Sequence, residues 1–292
     1  MKPSDLALAL VVVVVWGVNF VVIKAGVGEV PPLLLGALRF LAAALPAVAF
    51  LRPPKLPLRL YLAYGLTIAF GQFAFLFTAI HLGMPSGLAS LVLQSQALFT
   101  MLFAALWLGE RWRTEQLAGL LLAAAGLVAI GSAHGGAMPL AGFAMTLAAA
   151  ASWGIGNVVG RSLARHGPVN MLAFIVWTSM VPPLPFLGLS LVIEGPERIV
   201  AAIEGFSWLA AGAVLYLAWA ATLLGYGLWS HLLARYPANQ VAPFPLLVPV
   251  VGLTAGWLVY DEALQPAHLG GGALLMAGLA VNLFGHRLRR GG

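Results

Sequence analysis

The sequence predicts an all-α polytopic membrane protein with ten transmembrane helices, arranged as two inverted five-helix repeats. This prediction depends on the composition, on ten long apolar segments and on motifs that occur twice. Hydrophobic residues make up 61% of the 292 residues and charged residues 8%, and the mean hydropathy is +0.97. A soluble domain usually carries about 25% charged residues, and a disordered chain is polar and highly charged. The composition therefore excludes both classes.

Each of the ten apolar segments has about the 20 residues that a bilayer-spanning helix requires. The first follows Lys2, is too long for the apolar core of a signal peptide and lacks a small-residue cleavage site after it, so it is predicted to be the first spanning helix. Proline and glycine mark the joints between the segments. The ten are Asp5–Val27, Pro32–Leu51, Leu60–Leu82, Ser86–Leu108, Glu115–Gly131, Pro139–Gly160, Val169–Ile193, Phe206–Leu233, Asn239–Tyr260 and Pro266–His286.

The basic residues predict the orientation, because cytoplasmic loops of membrane proteins are rich in Lys and Arg. With the N-terminus in the cytoplasm, twelve of the fifteen basic residues fall on the cytoplasmic side and only Arg198 falls in an outer loop. Lys24 and Arg39 lie within helices. Both termini are then cytoplasmic. This distribution also accounts for the net charge of +6, so the bilayer rather than a nucleic acid is the predicted partner.

Motifs that occur in both halves predict two repeats, residues 1–135 and 136–292. Trp16-Gly17-Val18-Asn19-Phe20 recurs as Trp153-Gly154-Ile155-Gly156-Asn157-Val158, and Leu108-Gly109-Glu110 corresponds to Tyr260-Asp261-Glu262. Five helices per repeat is an odd number, so the second repeat is inverted relative to the first. Inverted repeats place a binding site near the midplane and permit alternating access. They favour a transporter over a duplicated channel or a membrane enzyme.

Charged residues within the spanning segments are costly and usually functional. None of the nine carboxylates lies in the middle of a predicted helix, so a carboxylate proton relay is not predicted. Arg39 lies about two turns inside the second segment. It attracts a substrate carboxylate or, alternatively, bonds the carbonyls at a helix end. Lys24 is near enough to the end of its helix to reach the interface, and a substrate role is the alternative.

Aromatic and amide side chains are predicted to line a neutral cavity. Trp16, Asn19 and Phe20 share one face of the first helix, and Trp153 and Asn157 repeat that spacing. Such a lining suits a small zwitterion with an apolar or aromatic side chain, whereas the alternative is that these residues only pack helices together. The predicted substrate-binding residues are Trp16, Asn19, Phe20, Arg39, Gln72, Phe75, Gln94, Gln96, Trp153, Asn157, Trp219 and Tyr226.

Helix-breaking prolines and missing motifs complete the prediction. Pro182, Pro183 and Pro185 interrupt the seventh segment, and Pro243, Pro245 and Pro249 crowd the ninth, where we expect kinks. The sequence contains no Walker, dinucleotide-binding, metalloprotease or hydrolase motif. It also contains no cysteine, which excludes disulfides and thiol catalysis. We therefore predict no enzyme activity, no cofactor and no metal site.

Several motifs of this sequence resemble those of a known family. Trp16-Gly17-Val18-Asn19-Phe20, the run P-P-L-L-L-G-A-L-R-F that starts at Pro31, and Leu108-Gly109-Glu110-Arg111 resemble the EamA-type family of the drug/metabolite transporter superfamily. Within it the chain is most similar to bacterial amino-acid exporters, of the O-acetylserine/cysteine type or the aromatic amino-acid type. The resemblance implies export across the bacterial inner membrane from a central cavity, with Arg39 and Glu110 at family motif positions.

We therefore predict an inner-membrane exporter of neutral, hydrophobic or aromatic amino acids and related metabolites. It works by alternating access, as facilitated diffusion or exchange, because proton coupling would have to use His81, His231 or the substrate itself. The alternative is a multidrug or other small-metabolite efflux carrier on the same scaffold. A monomer is compatible with either reading.

Overall fold

A computed structural model describes residues 1–133 and 138–288, without the side chains of residues 238, 239 and 286–288. The predicted boundary between the repeats, at residues 135 and 136, lies outside the described residues. The described part of the chain is helical and contains no β-strand. Eight of its helices are long and apolar enough to cross a membrane, and two shorter helices are also apolar. The chain is therefore a polytopic helical membrane protein, as predicted.

The helices follow the predicted segments closely. The short surface helix Pro196–Glu204, between the seventh and eighth segments, was not predicted. The apolar helices are α1 Pro3–Glu29, α2 Pro32–Val48, α3 Leu58–His81, α4 Ser86–Leu108, α5 Thr114–Ser132, α6 Leu140–His166, α7 Met171–Glu194, α8 Trp208–Arg235, α9 Phe244–Tyr260 and α10 Pro266–Leu288.

Six of these helices are locally irregular: α3, α4, α6, α7, α8 and α9. The predicted proline kinks are confirmed: the helical turns of α7 stop between Thr178 and Pro183, and α9 starts with a 3₁₀ turn at Phe244–Leu247, since proline has no N–H to donate. The sequence did not predict the three π-helical stretches, at Gly65–Gly71 in α3, Ser190–Glu194 in α7 and Tyr216–Leu224 in α8.

The π-helical stretches of α3 and α8 receive hydrogen bonds from neighbouring helices. A π-helical stretch disturbs the regular backbone ladder, and backbone groups at membrane depth must find partners inside the protein. Trp16 Nε1 on α1 donates to the carbonyl of Ala221 on α8 over 3.0 Å. Ser152 Oγ on α6 donates to the carbonyl of Thr67 on α3 over 2.8 Å. These bonds join α1 to α8 and α6 to α3.

Glycines allow several helix pairs to pack with their backbones in contact. A Cβ atom added to Gly278 on α10 would lie 2.5 Å from the carbonyl oxygen of Gly119 and 2.5 Å from the nitrogen of Ala123, both on α5. A Cβ added to Gly17 on α1 would lie 2.5 Å from the Val251 side chain on α9. Close approach through small residues is the usual way in which helices associate in a bilayer.

Hydrogen bonds between distant residues show which helix ends lie together. At one end, the Tyr236 hydroxyl donates to the Asp5 carboxylate over 2.7 Å. At the other end, the Glu194 carboxylate accepts the backbone N–H of Leu33 over 2.7 Å. We call the first the basic end, because the N-terminus and the α2–α3, α4–α5, α6–α7 and α8–α9 connections carry nearly all the loop arginines and lysines. The second is called the opposite end.

Candidate functional site

A cavity of about 340 Å³ lies among the helices, between the middle of the molecule and the basic end. Asn19 and Arg39 line its inner part. Met171, the first residue of α7, and Leu233, close to the last residue of α8, line it at the basic end. The cavity therefore extends from the middle of the helices to the basic end.

Ten of the twelve predicted site residues line this cavity. They come from α1, α2, α3, α4, α6 and α8, which the linear sequence separates widely. The ten are Trp16, Asn19, Phe20, Arg39, Gln72, Gln94, Gln96, Trp153, Asn157 and Tyr226. Their substrate-binding role remains a prediction.

Phe75 and Trp219 do not lie at the cavity, and for these two the structure corrects the prediction. Phe75 is 39% exposed, while Phe73 and Leu76 on the same helix face the cavity. Trp219 is 50% exposed, and its indole N–H donates to the carbonyl of Ala42. In a regular helix of 3.6 residues per turn, Phe75 would share a face with Tyr64 and Trp219 with Tyr226, and both tyrosines line the cavity. The π-helical stretches change that register, so the expected faces are rotated.

Arg39 is the central charge of the cavity. Its side chain is 2% exposed, and Nη2 donates to the Thr222 hydroxyl over 3.1 Å. Its Nε and Nη1 groups are buried without a partner in the described part of the chain. The guanidinium lies 3.8 Å from the centre of the Phe73 ring, a cation–π contact. The interpretation of Arg39 as a ligand of helix-end carbonyls is therefore not supported, because its hydrogen-bond partner is a hydroxyl.

No Asp or Glu side chain lines the cavity as far as the structure describes it. An arginine in a low-dielectric environment ordinarily pairs with an acid or a set of acceptors. Two N–H groups of Arg39 are thus available to an anionic group in the cavity. The contact with Phe73 was not predicted, because nothing in the spacing of α3 indicates which aromatic ring meets an arginine of α2.

The amide side chains of the cavity fall into two classes. Asn157 Nδ2 donates to Gln96 Oε1 over 2.7 Å and to Thr100 Oγ1 over 3.0 Å, so these residues join α6 to α4. In contrast, Asn19 Oδ1 and Gln72 Oε1 are buried without a partner in the described residues. Unpaired buried oxygens are costly, and they can accept hydrogen bonds from an ammonium group in the cavity.

Aromatic rings form the apolar part of the cavity wall. The centre of the Trp16 ring lies 5.3 Å from that of Tyr226 and 5.6 Å from that of Trp229. Trp153 lines the cavity from α6. Within the described residues, no group of three or more His, Asp or Glu side chains is arranged to hold a metal ion. In the part of the chain that the structure describes, the cavity is thus aromatic, with Arg39 as its one cation and with the buried, unpaired amide oxygens of Asn19 and Gln72.

We expect Asn157→Leu and Asn19→Leu to have opposite effects. Asn157→Leu removes two hydrogen bonds between helices and should lower the free energy of unfolding by about 1 kcal/mol. Asn19→Leu removes a buried oxygen that has no partner, so stability should stay the same or rise, while transport should fall. Thermal unfolding in detergent and efflux from proteoliposomes measure the two quantities. Equal loss of thermal stability in both variants would contradict the assignment.

Comparison with known proteins identifies the family of the chain. A family model described as the EamA-like transporter family matches residues 4–132 and again residues 140–284. The chain is 50% identical to a protein of Salmonella typhimurium over 99% of this chain and 98% of the relative. It is 46% identical, over the same shares, to a protein of Escherichia coli. Both relatives are named "Probable amino-acid metabolite efflux pump".

A solved crystal structure has the same fold. It aligns with 96% of this chain and 96% of its own chain, with a TM-score of 0.61 and 22% sequence identity. At that identity the likeness concerns the fold alone.

Proposed function

Since this chain belongs to the EamA-like transporter family, we propose that it exports amino acids and related metabolites with neutral, hydrophobic or aromatic side chains. The two relatives named as probable amino-acid metabolite efflux pumps support efflux of this class of solute. The choice of neutral, hydrophobic substrates depends on the cavity.

The observation that carries the proposal is a buried guanidinium with two free N–H groups in the same cavity as two unpaired amide oxygens. A zwitterionic amino acid satisfies both needs at once. Its carboxylate accepts the free N–H groups of Arg39 in a charge-assisted bond. Its ammonium group donates to the side-chain oxygens of Asn19 and Gln72. Its apolar side chain packs against the rings of Trp16 and Trp153.

The same chemistry disfavours the alternative substrates. A nucleotide sugar or other polyanion requires several cations, but Lys24 is paired with Glu262 and does not line the cavity. A cationic drug would meet the charge of Arg39 without a carboxylate to offset it, which is costly in a low-dielectric site. Multidrug or other small-metabolite efflux on this scaffold remains the second candidate.

We propose an architecture of ten spanning helices in two inverted repeats, 1–135 and 136–292. Two separate matches to one family model support it. Two matched pairs of helical irregularities support it as well, although the 3₁₀ end of α6 and the π-helical stretch of α7 have no counterpart in α1 and α2. The matched pairs are the π-helical stretches in α3 and α8 and the 3₁₀ turns in α4 at Leu93–Ser95 and in α9 at Phe244–Leu247. In each pair the two helices occupy equivalent places in their repeats.

The proposed mechanism is alternating access in the bacterial inner membrane, with the basic end in the cytoplasm. The distribution of Lys and Arg supports that orientation, under which the cavity faces the cytoplasm, where an exporter collects its substrate. The absence of a carboxylate from the described cavity wall supports facilitated diffusion or exchange rather than a carboxylate proton relay. Inverted repeats are suited to such a cycle.

The test is efflux of labelled solutes from proteoliposomes that contain the purified protein. We expect selective efflux of leucine- and phenylalanine-like amino acids over cationic dyes and nucleotide sugars. Trp153→Ala should reduce efflux of the large substrates about tenfold, because it removes apolar contact area inside the cavity. Trp257→Ala is the matched control, since Trp257 is 59% exposed and does not line the cavity. Efflux of dyes without efflux of amino acids would favour the second candidate.

A further inference from the structure

Two acidic residues occupy the same backbone position in the two proposed repeats. Gly109 ends α4 with φ 68°, and Asp261 ends α9 with φ 50°, both in the left-handed region. A left-handed residue just past the last turn is a common way to end a helix. The N–H groups of the next residues, Glu110 and Glu262, each bond to the carbonyl six residues earlier. Glu110 and Glu262 are therefore structural equivalents at opposite ends of the molecule.

Each of these acids pairs with a base from the first helix of the other repeat. Lys24 Nζ on α1 lies 2.7 Å from Glu262 Oε1. Arg161 Nη1 on α6 forms an ion pair with Glu110 Oε1. Lys24 and Arg161 each follow the repeated tryptophan of their helix by eight residues. The molecule thus contains two ion pairs at equivalent places, one at each end.

The two ion pairs differ in their surroundings. The Glu262 side chain is 7% exposed, whereas that of Glu110 is 51% exposed. Glu262 also accepts the backbone N–H and hydroxyl of Ser86 and the backbone N–H of Gly87, all within 2.9 Å, at the start of α4. Gly256 provides the space, because a Cβ there would lie 2.4 Å from Glu262 Oε2. The buried pair therefore holds α1, α4 and α9 together.

The charge state of Glu262 favours a stable ion pair with Lys24. Burial raises the pKa of its carboxyl group, but the hydrogen bonds from Lys24, Gly87 and Ser86 outweigh burial and hold the pKa below its usual value. The group is therefore ionised at neutral pH, so Lys24 and Glu262 attract each other as ions.

We propose that the Lys24–Glu262 and Arg161–Glu110 pairs are the two latches of the transport cycle, one for each gate. This inference rests on the proposed alternating-access function. In the present state both pairs are formed, but only the Lys24–Glu262 latch is buried, and it holds the opposite end closed. The Arg161–Glu110 pair is half exposed, and the basic end is open. An exposed ion pair contributes little to stability. In the other state the Arg161–Glu110 latch becomes buried against the start of α9, and Lys24–Glu262 becomes exposed.

Because the two latches are equivalent but lie at opposite ends, weakening one should change the populations of the two states in the direction opposite to weakening the other. A variant that weakens one latch shifts the population toward the state in which that latch is exposed and its end of the molecule is open. A residue that only stabilises the fold would not change the two states in opposite directions. The cavity residues Leu76, toward the opposite end of α3, and Ser230, near the basic end of α8, are suited as reporters.

The experiment uses single-cysteine reporters, because the natural chain contains no cysteine. A membrane-impermeant maleimide labels Leu76→Cys from the outside of intact cells and Ser230→Cys from the cytoplasmic side of inverted vesicles. We expect Glu262→Gln to raise labelling of the first reporter at least about tenfold and to lower that of the second. We expect Glu110→Gln to shift both reporters the other way. Glu197→Gln, an exposed acid near the opposite end, is the control.

Second variants at Lys24 keep the test decisive if Glu262→Gln folds poorly. Lys24→Met should give the same labelling pattern as Glu262→Gln. Lys24→Arg, which keeps the charge, should label like the protein with the natural Lys24. Changes in the same direction for Glu262→Gln and Glu110→Gln, or no change in either, would overturn the latch proposal. Labelling needs no transported substrate, so an error in the proposed substrate class would appear only in the efflux assay.

Discussion

Arg39→Gln is expected to reduce amino-acid efflux about a hundredfold, since loss of one partner of a buried charged contact costs about 3 kcal/mol. The substitution removes the only cation that lines the described cavity wall. It also removes a buried charge that has no acid beside it, so the thermal stability of the protein should not fall. Efflux and thermal unfolding, measured on the same preparation, test both statements.

Matched substrates and a conservative variant sharpen this test. The natural protein should prefer phenylalanine over phenethylamine, which lacks the carboxylate, and Arg39→Gln should lose that preference. Arg39→Lys keeps the charge but loses the planar donors and the stacking on Phe73, so its efflux should be intermediate. If Arg39→Gln exports phenylalanine at the natural rate, the guanidinium has a structural role and the proposed carboxylate site is wrong.

Gly278→Ala is expected to cause the largest loss of stability, about 3 kcal/mol. Its added Cβ would lie 2.5 Å from backbone atoms of Gly119 and Ala123, and backbone atoms cannot move aside as a flexible side chain can. Gly270→Ala on the same helix is the matched control, because a Cβ at Gly270 would have no atom within 4 Å apart from the nearby backbone of its own helix. The measurements are the yield of monodisperse protein in detergent and its thermal midpoint. Equal midpoints in the two variants would contradict the close packing of α5 on α10.

The sequence predicts the helices well, because hydropathy and proline act locally. Long apolar runs indicate spanning helices, and the breaks beside Pro183 and Pro245 follow from the missing N–H of proline. The π-helical stretches could not be predicted, since no residue type requires them. Carbonyls in the stretches of α3 and α8 accept hydrogen bonds from side chains of helices that are distant in the chain. Ser152 donates to one in α3, and Trp16 donates to one in α8. The change of register at these stretches turns Phe75 away from the face of Tyr64 and Trp219 away from that of Tyr226.

The residues of the cavity are predicted better than their interactions. Repetition of a motif identifies Trp16 and Trp153 without knowledge of the fold. The pairing of Lys24 with Glu262, 238 residues away, is not visible in any local pattern, and the sequence predicted an interfacial lysine instead. The free N–H groups of Arg39 depend on what surrounds it in three dimensions, which neither spacing nor composition reveals.

The hydrogen bonds of the π-helical stretches have a consequence for the synthesis of the protein. Trp16 bonds to a carbonyl 205 residues later in the chain, and Arg39 bonds to Thr222, 183 residues later. The first two helices therefore enter the membrane long before the ribosome makes their partners in α8. During that interval their indole, amide and guanidinium groups must be accommodated by the insertion machinery or by water. The helices α1 and α2 reach their final contacts only when α8 has been inserted.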